Sequence, residues 1–475
     1  MFGKNKPSAD RGGVIVCGDN AGVVNTGVIH GDVVLHQGAE LPLLALQIPF
    51  TDAPEATAPG LLSWRSRLPA QLVGRAQELA DLQRWAAEPA RRRVRIVHGG
   101  GGTGKTRLAF ELALTLREQG WEAGQLADPG RSQAFRQGRR GTLLIIDYPE
   151  QYAEAVRALL TRLRDSQAPQ VPLRVLLLCR EAEPMATIVS GAMASEHSPP
   201  LALDPLAAPA WPLFCAGWAA FAPRLGRAHT PPPLTEAAFA HWLARDATHG
   251  KALLVLAHAL NLAHDPTATG LKRHQILSAL VDREGARVEA ECRASPELAA
   301  PATRRGARLL WALAAVPGGL DAAALHALAS RLQAPGIALP PAVALHGTRL
   351  WAARAHTLAE LQPDLLAANL LYRTLAELLP DPATRGAWLW HTLATGATSL
   401  AHWRQRLSRL SRLSLDRPPA AHGPGPDPLL AALGTAVGQN LEWASTLLPA
   451  VEHNRLEPAL APLAAAATQA ILARG

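Results

Sequence analysis

Eight consecutive residues, from Gly99 to Thr106, have the types and spacing needed to bind a phosphate chain. They read Gly99-Gly100-Gly101-Gly102-Thr103-Gly104-Lys105-Thr106 and fit the pattern G-x-x-x-x-G-K-[ST] at every fixed position. Glycines let backbone N–H groups approach phosphate oxygens, Lys105 reaches the β- and γ-phosphates, and the Thr106 hydroxyl binds Mg²⁺. The motif therefore predicts a nucleoside triphosphate site, with ATP/ADP and Mg²⁺ as the cofactors.

A second apolar segment supplies the acid that such a site needs for its metal ion. Asp147 directly follows Leu143–Ile146, a run typical of a buried strand. A carboxylate there would hold Mg²⁺ directly or through water, although an aspartate after a strand could instead cap a helix. Glu150 could orient or activate the attacking water, or could be a solvated acid in the first turn of a helix.

A cation follows the third apolar segment, Leu173–Cys179. Arg180 stands at the carboxyl end of this predicted strand, from which it could sense the γ-phosphate. An ion pair with Glu181 or Glu183 is the alternative role for its side chain. The candidate catalytic residues are therefore Lys105, Asp147, Glu150 and Arg180.

The elements that position these residues alternate between strand and helix. We predict the fold class α/β, a P-loop NTPase domain with a parallel sheet and helices on both faces, because the strands are almost continuously apolar. Beyond about residue 210 the pattern predicts Ala/Leu-rich helices and no strands. The predicted elements of the sheet region are helices at 75–87, 106–118 and 151–164 and strands at 94–98, 142–146 and 173–179.

In type and order these motifs resemble those of the STAND class of P-loop NTPases, the signal-transducing relatives of the AAA+ and NACHT/NB-ARC proteins. The resemblance covers about 70 to 375. It implies contacts near the nucleotide base by Val73 and Arg75, and a helical lid and a winged-helix-like domain after the sheet. It is carried by Leu72-Val73-Gly74-Arg75, the loop 99–106, the strand that ends in Asp147-Tyr148-Pro149-Glu150, and Leu176–Arg180.

Two positions depart from the pattern of that class. The lid motif, which supplies a proline near the adenine, appears here as His249-Gly250-Lys251-Ala252. His356 is a weak match to the histidine of the winged-helix domain. The resulting segments are an N-terminal β segment at 1–45, a linker at 46–70, the P-loop NTPase domain at 71–210, a helical lid at 211–300, a winged-helix-like domain at 301–378 and a C-terminal helical region at 379–475.

The N-terminal segment contains short Val/Ile runs broken by Gly, Asn and Asp at 12–38, a composition typical of brief strands and tight turns. It resembles the amyloid-signalling motifs found at the ends of bacterial NLR-like proteins. Such a motif would template a cross-β stack in an effector protein, which would be the partner of this segment. The alternative is a small β-hairpin that packs on the NTPase domain.

The resemblance implies an ATP-dependent signalling switch, with bacterial antiviral defence as the setting that the family suggests. The lid would close an ADP-bound monomer, and γ-phosphate contacts through Lys105 and Arg180 would favour self-association. Slow ATP hydrolysis, using Asp147 and Glu150, would reset the switch. The alternatives are a STAND-type DNA-binding transcriptional regulator and a metabolic P-loop kinase or hydrolase.

Composition bears on partners and location. The formal net charge is +8, but the chain has only five lysines, and this arginine bias is typical of a GC-rich genome, so nucleic acid is not a favoured partner. The basic helix expected at 402–417 is interpreted as a solvated surface more readily than as a phosphate-binding face. The four cysteines form no C-x-x-C pair, and no apolar run reaches the ~18 residues of a membrane span. We expect a cytoplasmic protein without a membrane partner.

Overall fold

The computed structural model describes most of the chain beyond residue 45. The described residues are 14–15, 24–25, 46–51, 55–126, 138–166, 169–206, 210–227, 231–352, 355–418, 427–453 and 457–474. The chain divides into two compact units, which we name the sheet unit (Met1–Pro49, Gln77–His98 and Leu108–Leu201) and the helical unit (Phe50–Ala76, Gly99–Arg107 and Ala202–Gly475). The loop 99–106 belongs to the helical unit, whereas the predicted division placed it with the sheet.

The elements are numbered in chain order. The strands are β1 (Val14–Ile15), β2 (Val24–Asn25), β3 (Arg92–His98), β4 (Glu122–Gln125), β5 (Thr142–Asp147), β6 (Leu173–Cys179), β7 (Leu201–Ala202), β8 (Leu320–Asp321), β9 (Trp351–Ala352) and β10 (Thr357–Leu358). The helices are α1 (Ala58–Leu62), α2 (Ala76–Ala86), α3 (Lys105–Glu118), α4 (Ala153–Asp165), α5 (Ala182–Met193), α6 (Ala210–Phe221), α7 (Glu236–Ala244), α8 (Ala252–His264), α9 (Arg273–Ala294), α10 (Pro301–Ala314), α11 (Ala322–Arg331), α12 (Ala342–Leu345), α13 (Asp364–Leu378), α14 (Pro382–Ala394), α15 (Leu400–Leu415), α16 (Pro428–Gly438), α17 (Leu441–His453) and α18 (Ala461–Arg474).

A five-stranded sheet in the order β4-β5-β6-β3-β7 forms the core of the sheet unit. The β4–β5, β5–β6 and β6–β3 pairs are all parallel. Every residue of β6 is buried, and because successive side chains of a strand point to opposite faces, both faces of the sheet are covered. The predicted α/β fold class is confirmed. Strands β4 and β7 were not predicted, since the first reads Glu-Ala-Gly-Gln and the second has two residues.

Arginine side chains close the C-terminal ends of several helices by donating to carbonyl groups that have no partner within the helix. Arg174 has 0% exposure, and its guanidinium donates to the carbonyls of Ala86, Glu88 and Ala90 where α2 ends. Burial lowers the pKa of Arg174 to about 10, so the side chain is still protonated at neutral pH. The other arginines of this kind are Arg92 at the end of α4, Arg385 at the end of α13 and Arg406 at the end of α14.

The stretch predicted as a linker, 46–70, contributes a helix to the core of the helical unit. Leu61 in α1 is fully buried, and α1 contacts α8 and α9. The Ala58 N–H donates to Glu284 Oε1 at 2.8 Å, which fixes the start of α1 on α9. Proline suggested a linker here, but Pro59 lies in the first turn of α1, where its missing N–H costs no helical hydrogen bond.

A winged-helix fold lies in the middle of the helical unit. Helices α10, α11 and α12 accompany a three-stranded antiparallel sheet in the order β8-β10-β9. The expectation that strands are absent beyond residue 210 is therefore wrong. Each of these strands has two residues, which is too short to produce a visible alternation in the sequence. His356, the weak candidate for the family histidine, precedes β10 and has a φ of 52°.

Helix α15 is buried where a solvated helix was expected. Arg412 is 4% exposed and pairs with Asp364 at 3.3 Å, and Arg409 pairs with Glu360. Ser408 is fully buried as well. The polar composition of this helix concealed a packed face, because the acids that neutralise its arginines come from a distant part of the sequence.

The described part of the N-terminal segment consists of two short strands. β1 pairs antiparallel with β2, with Val14 opposite Asn25 and Ile15 opposite Val24. The rest of 12–38, on which the interpretation as an interaction motif depends, lies outside the described residues. Among the helices that the structure describes, none has the length and apolar character needed to cross a membrane.

Candidate functional site

The backbone of the loop between β3 and α3 has the conformation that glycine permits. Gly99, Gly102 and Gly104 have φ values of 150°, 81° and 99°, in the region that residues with a β-carbon seldom adopt. Thr103 closes a turn within the loop, since its N–H and its hydroxyl both donate to the Gly100 carbonyl, at 3.4 and 3.0 Å. These residues fit a phosphate chain, because glycine allows the backbone conformations in which N–H groups turn toward phosphate oxygens.

Lys105 folds back over the start of the loop. Its side chain is 8% exposed, and Nζ donates to the carbonyls of Gly99 at 2.6 Å and Gly100 at 3.1 Å. The ammonium group therefore marks the end of the loop at which this motif receives the β- and γ-phosphates.

Residues of the helical unit pack directly on the loop. The Leu253 N–H donates to the Gly102 carbonyl at 2.9 Å. A β-carbon added to Gly102 would lie 3.0 Å from Cβ of Leu253 and 3.2 Å from Cδ1 of Leu365, at the start of α13. A β-carbon on Gly99 would lie 2.6 Å from the Leu203 carbonyl oxygen. The starts of α8 and α13 and the segment before α6 thus contact the loop.

Arg75 joins the loop to another part of the helical unit. Its side chain is buried, and Nη2 donates to the carbonyl of Thr103 at 3.1 Å and of Asp204 at 2.5 Å. Val73 is half-buried and packs against the helical core. Their predicted role as base contacts stays a prediction, while the hydrogen bonds show that Arg75 also holds the loop in place.

In the sheet unit, the acidic and basic candidates lie at the carboxyl edge of the sheet. Asp147 ends β5 opposite Leu178 of β6, and Arg180 directly follows β6. Asp147 is half-buried and does not cap a helix, since Tyr148 precedes the 3₁₀ turn Pro149–Tyr152 and Tyr152 precedes α4. Glu150 lies in that 3₁₀ turn. The parallel register thus brings Asp147 and Arg180 to one edge.

Sequence reasoning placed residues 249–252 in the lid but did not predict their contact with the loop. A β-carbon on Gly100 would lie 3.3 Å from Lys251 Nζ. The signal that could have found it is the rarity of lysine, since Lys251 is one of only five in the chain.

Among the described residues, no three His, Cys, Asp or Glu side chains form a metal-binding group.

A stack of aromatic rings supports the 3₁₀ turn Ala247–Gly250, which precedes Lys251. Trp242 is stacked with His249 at a centroid distance of 4.1 Å and with His258 at 4.3 Å. His258 is fully buried, and neither of its ring nitrogens has a hydrogen-bond partner among the residues that the structure describes. Burial, with the neighbouring His249 as a second cause, lowers the pKa of His258 to about 3.

Acid is therefore expected to destabilise the helical unit through His258. Its pKa is 6.5 in the unfolded chain and about 3 in the fold, so the unfolded chain binds more protons between these values. The free energy of unfolding should fall by about 1.4 kcal/mol per pH unit below 6.5, or about 2 kcal/mol at pH 5. Denaturant unfolding of the wild type and His258→Phe over this range measures the effect.

His258→Phe keeps a ring on Trp242 and removes the titrating group. Because no hydrogen bond of His258 is lost, the variant should be at least as stable as the wild type at neutral pH. The pKa of His264 is also lowered, to about 4, but His264 titrates in both proteins. Equal losses of stability in the two proteins on acidification would contradict the role of His258.

The sheet, the loop and the helical regions together define a P-loop NTPase fold with a winged helix in its helical part. No protein-family model and no curated protein matches the chain. Two solved structures from Aeropyrum pernix are similar at low level. The ORC2 protein in its ADP form is 14% identical, with a TM-score of 0.31 over 49% of this chain and 77% of that chain. The ORC1 protein in complex with DNA is 18% identical, with a TM-score of 0.34 over 67% of this chain and 96% of that chain.

Proposed function

We propose that the chain is an ATP-dependent signalling switch of the STAND class, in which nucleotide at the loop 99–106 controls the packing of the helical unit. The observation that carries the proposal is the packing of two leucines on Gly102. The Leu253 N–H donates to its carbonyl, and the Leu365 side chain lies against its α-carbon. A nucleotide at the loop would change the backbone that these two leucines contact. Its binding therefore acts on the start of α8 and on α13.

The residues of the loop would bind the nucleotide through its phosphates. The backbone N–H groups of 99–106 and the ammonium group of Lys105 would contact phosphate oxygens. Thr106 and Asp147 would supply oxygens to Mg²⁺, which in nucleotide sites takes one or two protein ligands together with phosphate and water. The ion would neutralise charge on the phosphates.

Hydrolysis would be slow and would serve to reset the switch. Glu150 would orient the attacking water and Arg180 would contact the γ-phosphate, as their position at the carboxyl edge of the sheet unit supports. Self-association in the ATP state, an effector partner for residues 12–38 and a role in bacterial defence are further parts of the proposal, and they rest on the resemblance to the STAND class.

Lys105→Ala tests the nucleotide site. Loss of one charged contact to phosphate should weaken binding of ATP and ADP by at least about 30-fold, equivalent to ~2 kcal/mol. Titration calorimetry with Mg²⁺ and each nucleotide measures the change. Lys272→Ala, which removes an exposed lysine at the start of α9, is the matched control and should bind like the wild type. Unchanged affinity in Lys105→Ala would overturn the proposed site.

The same proteins distinguish a switch from a metabolic enzyme. Light scattering after size exclusion, with ADP, ATP and a non-hydrolysable analogue, should show a rise in mass that needs both a triphosphate and Lys105. Fast turnover in dilute monomer, indifferent to assembly, would instead indicate a metabolic kinase or hydrolase.

A DNA-binding regulator is the second candidate, and the winged-helix fold is the observation that favours it. Val343 in α12 is 67% exposed, so this helix presents an uncovered face among the described residues. Binding to duplex DNA would support this function if the logarithm of the association constant falls steeply as the logarithm of the salt concentration rises. Absence of DNA binding at low salt would exclude this function.

A further inference from the structure

Two lysine side chains meet at one residue of the loop. Lys105 Nζ donates to the Gly100 carbonyl at 3.1 Å. Lys251, which is distant in sequence, also reaches this residue. Its Nζ would lie 3.3 Å and its Cε 3.5 Å from a β-carbon on Gly100. Both lysines belong to the helical unit, together with the loop. Two ammonium groups are thus placed at the same end of a phosphate-binding backbone.

The turn before Lys251 holds this side chain at the loop. Asp246 caps the turn by accepting from the Thr248 N–H at 2.8 Å, and the Lys251 N–H closes it on the Thr248 carbonyl at 3.1 Å. The Leu206 N–H donates to the Gly250 carbonyl at 2.6 Å, and a β-carbon on Gly250 would collide with the Leu206 carbonyl. The residue before Lys251 is therefore fixed by a close approach of two backbones.

The segment after Lys251 is fixed as well. The Leu253 N–H donates to the Gly102 carbonyl, and a β-carbon on Gly104 would lie 3.9 Å from Cβ of Ala252. Lys251 is thus bracketed by contacts on both sides, which fix its backbone beside the loop and within reach of Gly100 for its side chain.

The use of lysine at positions 105 and 251, in a chain rich in arginine, bears on which ligand they bind. Five of the 47 Lys and Arg residues are lysines, and two of these five lie at the loop. A lysine ammonium is a compact point charge that approaches a phosphate oxygen closely, whereas arginine presents a planar fork. In a chain that uses arginine almost everywhere else, lysine at both positions indicates the same ligand chemistry.

We propose that Lys251 is a second phosphate-binding cation, which contacts the terminal phosphate and makes the loop discriminate triphosphate from diphosphate. The inference rests on the proposed function, because it assigns a ligand to the same site. Lys105 marks the end of the loop that receives the β- and γ-phosphates, and Lys251 lies at that end. A diphosphate has no γ-phosphate to pair with the second ammonium group. Lys251 also directly precedes α8, so the presence of the γ-phosphate is read by the helical unit itself.

Lys251→Met tests the assignment, because methionine keeps the unbranched chain and removes the charge. The affinity for a non-hydrolysable ATP analogue should fall by about 10-fold or more and that for ADP by less than about 3-fold, as measured by calorimetry with Mg²⁺. Lys251→Arg should restore part of the preference for triphosphate. Lys272→Met is the matched control, and thermal unfolding of each variant checks that the fold is intact.

The outcomes separate the two proposals. If the wild type binds no nucleotide, the proposed function fails and the assignment of Lys251 fails with it. If Lys105→Ala abolishes binding while Lys251→Met binds both nucleotides like the wild type, the nucleotide site stands and Lys251 is not part of it. An equal loss for ADP and the analogue would overturn discrimination at the terminal phosphate.

Discussion

Asp427→Ala is expected to destabilise the C-terminal helices by about 3–5 kcal/mol, because it removes the centre of a buried hydrogen-bond network. Its Oδ2 accepts from the hydroxyls of Tyr372 and Ser414, the latter at 2.6 Å. Its Oδ1 accepts from the N–H groups of Leu429 and Leu430, at 2.8 and 3.0 Å, at the start of α16. Oδ2 also accepts from Arg417 Nη1 at 3.4 Å, so alanine would leave five donors without this acceptor.

The Tyr372 hydroxyl makes the loss severe. It is 2% exposed, and burial, followed by the negative charge of Asp427, raises its pKa far above the ordinary value of 10. The hydroxyl therefore stays protonated and needs an acceptor. Asp427→Asn retains one oxygen and should recover part of the lost stability.

Asp381→Ala provides a matched control for Asp427→Ala. Asp381 also precedes a proline and caps a helix, α14, by accepting from the Thr384 N–H at 2.8 Å, but its side chain is exposed. Asp381→Ala should therefore lower the free energy of unfolding clearly less than Asp427→Ala does. Denaturant unfolding of both variants gives the comparison, and equal losses would show that burial of the Asp427 network adds nothing.

Arg174→Met is the second change with a large expected effect, a loss of about 3–5 kcal/mol from the sheet unit. The guanidinium donates to carbonyl groups of residues 85–90 and of Leu173, including Ala86 at 3.1 Å and Ala90 at 3.0 Å. Methionine fills much of the same volume and donates no hydrogen bond. The carbonyls at the end of α2 would then be buried without these donors.

Arg92→Met is the control for Arg174→Met. Arg92 likewise closes a helix, since it donates to the Arg164 carbonyl at 3.2 Å and the Ser166 carbonyl at 2.6 Å at the end of α4, but these contacts are open to water. Water can replace its hydrogen bonds, so a loss of about 0.5–1.5 kcal/mol is expected. Calorimetric unfolding measures both. If Arg174→Met were no worse than Arg92→Met, the buried cap would not stabilise the sheet unit as inferred.

The three central strands of the sheet, β3, β5 and β6, and the loop could be predicted because their signals are local. The loop consists of eight contiguous residues, and β6 is a continuous apolar run whose burial on both faces follows from its composition. Asp147 and Arg180 could be placed at one edge because parallel strands end together. The short strands of the winged helix could not be predicted, since two residues show no period.

Contacts between distant segments could not be predicted either. Lys251 is far in sequence from Gly100, as is Leu365 from Gly102, and nothing in the intervening residues specifies that they converge on the loop. Helix α15 shows the same limit. Arginine is usually a surface residue, but Arg412 is buried and pairs with Asp364. Periodicity locates an apolar face, but it does not reveal which acid neutralises a buried arginine.

The arginines that close α2, α4, α13 and α14 also make the fold dependent on arginine at positions where lysine would carry the same charge. Arginine supplies a planar, five-donor group that reaches two or more carbonyls at once. A variant with lysine at Arg92, Arg174, Arg385 and Arg406 would have the same formal net charge of +8. Its helix ends would have fewer donors, so a substitution that is conservative by charge would not be conservative for this protein.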